Sequence, residues 1–130
     1  MVVAGFVVFV LLSPVSYGVV DDPGCDYAEA FTPFDVKDGD NPVTMHNGRV
    51  VELRASNRTR CAWGRLSSAT PGEEIWTDRM RPDGSGYEGF LGYRRVDSGD
   101  GAHTGAYDDD GRLMRACGSS AGRIECTGWF

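Results

Sequence analysis

Four cysteines carry the clearest chemistry in this sequence of 130 residues: Cys25, Cys61, Cys117 and Cys126. In a short exported chain, four cysteines indicate two disulfides, and the sequence alone allows three pairings. The segment "GSSAGRIE" between Cys117 and Cys126 contains two glycines and two serines, so it can turn tightly. This spacing favours a Cys117–Cys126 bridge across a hairpin, which leaves Cys25 to pair with Cys61.

No residue pattern in the sequence is typical of an active site. His46 and His103 stand in polar turns, and no Gly-x-Ser-x-Gly turn exposes a nucleophilic serine. Nothing indicates a base or an oxyanion hole beside Ser67 or Ser98. Zinc is disfavoured because the chain lacks C-x-x-C and its histidines have no familiar ligand spacing. We therefore expect a protein that is not an enzyme and that needs no metal or cofactor.

Two acidic stretches, "DVKDGD" and "YDDDG", group carboxylates that calcium could attract. Neither follows the Asp-x-Asp-x-Asp-Gly order, with a glutamate at the twelfth position, of an EF-hand loop. A pair of glycosidase carboxylates depends on separation in three dimensions, and nothing in the spacing indicates one. We interpret both stretches as solvated turns.

Aromatic residues are the more promising candidates for ligand contact. Trp76, Tyr87 and Trp129 fall in predicted strands or beside turns, as do Tyr93 and Tyr107. Aromatic faces on a rigid β scaffold offer apolar surface against which a sugar or a peptide can pack. The alternative is that Trp76 and Trp129 fill the interior, because a small domain needs large side chains there. Trp76, Tyr87 and Trp129 are the predicted ligand-binding residues.

Six short strands are predicted to position these side chains. Residues 51–55 alternate apolar and charged side chains, which is the period of a half-buried strand. Segments rich in Gly, Pro and Asp separate the strands and have the chemistry of turns. The pattern predicts an all-β fold, a small disulfide-stabilised antiparallel sandwich or barrel, and "DYAEAFTPF" allows one short helix over residues 26–34. The predicted strands cover residues 50–54, 61–66, 74–78, 90–96, 113–117 and 123–129.

The first twenty residues, "MVVAGFVVFVLLSPVSYGVV", contain no charged side chain. An apolar run followed by small residues is typical of a signal peptide, so we predict one at residues 1–18, with cleavage after Gly18. No Lys or Arg precedes the run, and the alternative is an uncleaved anchor interrupted by Pro14, which would give membrane contact through this segment alone. Residues 19–130 are then a single secreted, extracellular β domain.

Composition and charge narrow the class of partner. The chain has 41% hydrophobic and 25% charged residues, which is typical of one globular domain. Its net charge is −6, and the arginines are scattered among acids. A nucleic-acid partner is therefore not expected, because phosphate binding needs a concentrated basic surface.

The order of several segments resembles a known domain: "VELRASNRTRCAWGRL", "EEIWTDRM", "LGYRRV", "TGAY", "MRACG" and "CTGWF". It is similar to a small disulfide-containing domain of unknown function in secreted actinobacterial proteins, also found ahead of alpha-1,6-mannanase-type glycoside hydrolase modules. The resemblance covers residues 25–130. In that group the hairpin after the Trp-containing strand reads like an Asp-box, whereas this chain keeps Asp83-Gly84 but continues with Gly86-Tyr87. The resemblance implies export, disulfides and an accessory role, and it carries no catalytic residues.

Two hypotheses about function follow. The first is a non-catalytic secreted accessory or binding module for cell-wall glycan or polysaccharide. The second is a secreted protein-interaction factor, such as a protease inhibitor, in which a disulfide-rigidified loop such as "RPDGSG" lowers the entropic cost of binding. A flat row of exposed aromatic rings would favour the first hypothesis, and one protruding disulfide-braced loop would favour the second.

Overall fold

The computed structural model describes residues 21–130, which form ten β-strands in two antiparallel sheets. The all-β antiparallel prediction is confirmed. The predicted signal peptide lies outside the described residues. The strands are β1 (Ala30–Phe31), β2 (Val43–Thr44), β3 (Val50–Ser56), β4 (Cys61–Ser67), β5 (Glu74–Met80), β6 (Glu88–Arg95), β7 (Ala102–His103), β8 (Tyr107–Asp108), β9 (Leu113–Ser120) and β10 (Arg123–Cys126).

The first sheet is built around the long hairpin of β3 and β4. The strands β1 and β2 both pair with β3, and β7 and β8 both pair with β4, which gives six strands in all. Val51, Leu53 and Leu66 point inward and are fully buried. Because side chains alternate along a strand, the residues between them form an outer face.

The second sheet has four strands in the order β10-β9-β5-β6. Its inner face contributes Ile75, Met114 and Ala116, all fully buried, to the core that it shares with the first sheet. Burial of these apolar side chains between the sheets is the main source of stability in a sandwich of this kind.

Two glycines bring the sheets close together where β4 and β9 face each other. A Cβ atom at Gly118 would lie 2.6 Å from Cγ2 of Val51, which is too close for any real side chain. A Cβ atom at Gly64 would lie 3.3 Å from both Ala116 Cβ and Ile75 Cγ1. The packing of the two sheets therefore requires glycine at position 118 and leaves little room at position 64.

All six predicted strands are present, with small differences in their bounds. The last of them ends at Cys126, and Trp129 instead forms an isolated antiparallel bridge with Lys37. The two-residue strands β1, β2, β7 and β8 were not predicted, because two residues are too few to display an alternating pattern.

The predicted short helix over residues 26–34 is wrong. This segment contains a turn followed by β1, in which Ala30 pairs with Ser56 of β3. Glu29 has a φ of 51°, a left-handed conformation that a right-handed helix excludes. Pairing with the edge of the first sheet therefore takes precedence over local helix propensity.

Both disulfides have the pairing that the spacing favours. Cys25 is bonded to Cys61, which ties the N-terminal segment of the described chain to β4. Cys117 is bonded to Cys126, which joins β9 to β10. Each bridge lies on the outside of its sheet, one on each side of the sandwich.

Candidate functional site

Trp76 lies on the outer face of the second sheet. It stands on β5 directly opposite Cys117 of β9, whereas its neighbours Ile75 and Thr77 point into the core. Because side chains alternate along a strand, the indole points away from the first sheet. Its exposed fraction is nevertheless only 5%, so other side chains must cover it.

Phe90 provides part of that cover. The centroids of the Phe90 and Trp76 rings are 4.8 Å apart, with an angle of 31° between the ring planes. The register between β5 and β6 shifts twice, and Phe90 has a φ of 58°, so the strand is bulged at this point. The Phe90 amide donates a hydrogen bond to Oδ1 of Asp78 at 3.2 Å. The Phe90 ring lies over the indole and remains 63% exposed.

A second aromatic pair, Tyr87 and Trp129, lies near the first. Their ring centroids are 6.5 Å apart and the rings meet edge to face. The guanidinium carbon of Arg115 lies 4.8 Å from the centroid of the Trp129 ring, within the range of a cation–π contact. Two backbone hydrogen bonds between Trp129 and Lys37 fix the position of the tryptophan. Tyr87 is 55% exposed and Trp129 is half-buried.

An ion pair joins the two aromatic pairs. Nε of Arg115 donates to Oδ2 of the buried Asp78 at 2.9 Å, so the two charges neutralise each other. Partial burial and a hydrogen bond with Asp78 raise the pKa of the Tyr87 phenol, which keeps it neutral. The surface formed by these side chains is therefore mainly apolar. We call it the aromatic face, and it consists of Trp76, Tyr87, Phe90, Arg115 and Trp129.

The structure brings the three predicted ligand-binding residues to one side of the molecule but exposes them unequally. Tyr87 and Trp129 are in contact with each other, and Tyr87 is the more exposed. Trp76 is covered, so it supports the surface instead of presenting its own ring. Phe90, which was not among the candidates, occupies the exposed position above Trp76.

Little in the sequence indicates a surface role for Phe90. It lies in a strand that reads "EGFLGYRR", where a bulge interrupts the alternation of apolar and polar residues. The other two aromatic residues considered earlier have supporting roles. The Tyr93 hydroxyl donates a hydrogen bond to Oε2 of Glu74, and Tyr107 packs against the core.

The remaining titratable groups are spread over the molecule. His46 pairs with Glu125 at 3.3 Å, far along the chain from His103. Burial, followed by the nearby charge of Asp108, raises the pKa of Asp109 to about 6. Within residues 21–130, no group of three or more His, Cys, Asp or Glu side chains is arranged to hold a metal ion. Over the same range, no helix has the length and apolar character needed to cross a membrane.

Comparison with known proteins gives no relative. No protein-family model matches the chain. Neither a curated protein nor a solved structure shows significant similarity to it. The resemblance to the actinobacterial domain therefore stays a prediction from the sequence.

Proposed function

We propose that this protein is a non-catalytic secreted binding module that holds a cell-wall glycan or another polysaccharide on its aromatic face. The observation that carries the proposal is the exposure of the Phe90 and Tyr87 rings, 63% and 55%, on the outside of one sheet. Large exposed apolar side chains gathered at one place mark interaction surfaces. The C–H faces of sugar rings can pack against aromatic rings in such a place.

The rings are held before any ligand arrives. Phe90 lies on Trp76, which in turn stands opposite the disulfide-bonded Cys117. Tyr87 lies against Trp129, whose position is fixed by the bridge to Lys37. Side chains that are already ordered lose little conformational entropy on binding, which favours even a weak and repetitive ligand.

The polar groups of the face suit a neutral ligand. Asp78 is buried and paired, so it presents no free negative charge. Arg115 uses its Nε atom for Asp78 and also contacts the Tyr87 hydroxyl, and its guanidinium carries further N–H donors for sugar hydroxyls. An apolar surface with a few polar groups that fix orientation is the usual composition of a binding site for a neutral small molecule.

A protruding loop braced by a disulfide would favour a protease inhibitor, but in this molecule the disulfides and the exposed loop belong to different segments. The Cys117–Cys126 bridge braces a hairpin whose connection is only Ala121 and Gly122. The loop "RPDGSG" has no disulfide and folds on itself, with the Arg81 amide donating to the Ser85 carbonyl at 2.9 Å. The two disulfides also support secretion, because such bonds persist in oxidising compartments.

Pull-down on insoluble cell-wall and polysaccharide preparations tests the proposal. We expect the wild-type protein to bind at least one of them, and Phe90→Ala and Tyr87→Ala each to weaken binding by about tenfold or more. Phe34→Ala is the matched control, because Phe34 is an exposed aromatic residue outside the aromatic face. Circular dichroism checks that each variant is folded.

Two results would overturn the proposal. One is equal loss of binding in all three variants, which would remove the aromatic face from the interaction. The other is a wild-type protein that binds none of the preparations. Stoichiometric inhibition of a secreted protease by that protein would then favour the protein-interaction factor.

A further inference from the structure

The outer face of the first sheet contains a cleft of about 680 Å³. This volume lies within the range of about 300–1,000 Å³ that is usual for ligand pockets. Trp63 and Ala30 contribute to an apolar floor, and Arg65 and His103 stand at the rim. The cleft is on the opposite side of the sandwich from the aromatic face, so it is a separate surface.

Arg65 is the arginine of the cleft with the most freedom to bind a ligand. Its side chain is 52% exposed, and its nearest carboxylate contact among the described residues is 3.9 Å, from Nη1 to Oε1 of Glu52. The other oxygen of Glu52 accepts a hydrogen bond from the Thr32 hydroxyl and lies 3.6 Å from Nη1 of Arg54. Glu52 is therefore shared among several partners, and Arg65 keeps donors for another group.

His103 is oriented with one ring nitrogen available. Its Nδ1 lies 3.0 Å from the Thr104 carbonyl oxygen. A carbonyl oxygen can only accept, so Nδ1 carries the proton in this contact, and in the neutral ring Nε2 is an acceptor. The ring is also packed edge to face against Tyr27, at 5.0 Å between centroids.

Tyr27 forms a neutral wall beside this rim. Its ring also meets Trp63 edge to face at 4.9 Å. Its hydroxyl is within hydrogen-bonding distance of Oδ1 of Asp21 and of the Thr104 carbonyl. Partial burial, and then the bond to Asp21, raise the pKa of the phenol to about 12, so this wall adds no negative charge.

The far end of the cleft is polar. It is lined by Ser67, Ser98 and Asp100, whose hydroxyl and carboxylate groups can exchange hydrogen bonds with a ligand. The loop is held in place by the Ala69 amide, which donates to the Asp100 carbonyl at 2.9 Å. Gly101 is needed there, because a Cβ atom would lie 2.8 Å from the Leu66 carbonyl oxygen.

We propose that this cleft binds an acidic sugar through its carboxylate, which makes it a second site with a charged ligand. The planar guanidinium of Arg65 matches a carboxylate in a two-bond arrangement. The apolar floor takes the C–H face of the sugar ring, and the hydroxyls reach Ser67, Ser98 and Asp100. Because Glu52 and Asp100 offset the arginines, recognition rests on this local geometry and not on long-range attraction.

Titration of the ¹⁵N-labelled protein with D-glucuronate, followed by NMR, tests the proposal. We expect saturable shifts at the amides of Arg65, His103 and the 98–101 loop. D-Glucose, which lacks the carboxylate, and acetate, which lacks the ring, should each bind about tenfold more weakly or worse. Arg65→Gln should weaken glucuronate binding by a similar factor, whereas Arg123→Gln, an exposed arginine on β10, should leave it unchanged.

Each contrary result overturns a defined part of the proposal. Glucose that binds as tightly as glucuronate, or an Arg65→Gln variant with unchanged affinity, would remove the carboxylate contact. Acetate that binds as tightly as glucuronate would remove the sugar. Absence of saturable shifts with all three compounds would reject the site, without bearing on the aromatic face.

Discussion

The outer faces of the two sheets share a buried tryptophan but differ in the residue that covers it. Each has a tryptophan with 5% exposure beside a disulfide, Trp63 near Cys61 and Trp76 opposite Cys117. Trp63 is covered by Tyr27, which comes from a distant part of the chain. Trp76 is covered by a residue of the adjacent strand in its own sheet.

The origin of the cover determines what each face can offer. The segment that carries Tyr27 is tied down by its disulfide and by Asp22, which pairs with Arg79 at 3.0 Å. It leaves a cleft with charged groups beside it. The local cover on the second sheet has fewer polar attachments, and its rings remain exposed to solvent. In the first sheet the covering residue comes from a distant segment and a cleft lies beside it, whereas in the second sheet it comes from the adjacent strand and leaves an exposed apolar surface.

The largest expected effect separates the two disulfides. Replacing Cys25 and Cys61 by serine should lower the free energy of unfolding by about 4 kcal/mol, and replacing Cys117 and Cys126 by about 3 kcal/mol. The reason is loop length, because the sequence separations are 36 and 9. Urea unfolding followed by circular dichroism measures both. A larger loss for the Cys117–Cys126 pair would contradict the dependence of this stabilisation on loop length.

A smaller effect is expected at the connection between the sheets. Asp109 follows β8 of the first sheet and precedes β9 of the second, and burial raises its pKa from 3.8 to about 6. Folding therefore disfavours its charged form, so stability falls as the pH rises from about 4 to 6. Asp109→Asn should remove this dependence and add about 1–2 kcal/mol at pH 7.

Thermal unfolding over that pH range measures the Asp109 effect. The variant and the wild type should have similar stability at pH 4, where Asp109 is protonated in the folded protein. Asp97→Asn is the control, since Asp97 is an exposed acid in another turn. Equal gains from the two substitutions at pH 7 would attribute the effect to net charge and not to burial.

The smallest effect concerns the two tyrosines of the outer faces. Tyr27→Phe should cost about 1 kcal/mol, because the single proton that the phenol shares between Asp21 and the Thr104 carbonyl is lost. Tyr87→Phe should change stability by less, since Tyr87 is the more exposed residue and lies at the edge of its face. Chemical unfolding of both variants gives the comparison. A larger loss for Tyr87→Phe would show that the second cover is held by polar contacts after all.

The sequence predicted the framework better than the surfaces. The strand β3 was evident from the alternation of apolar and charged residues, and the disulfides were evident from spacing. The contact of Tyr27 with Trp63 was not, because it joins residues far apart in the chain, and local pattern suggested a helix there instead. Phe90 was missed because the bulge that aims it also breaks the periodicity on which strand prediction depends.

The close approach of the sheets at Gly64 and Gly118 has a consequence for recognition. Many β barrels and sandwiches enclose a hollow in which they carry a lipid or a pigment. Here the backbone of β9 packs directly against Val51, so the described sandwich is too thin at its centre to carry cargo inside. A ligand of these residues must therefore bind on the surface of the sandwich, as both proposed sites require.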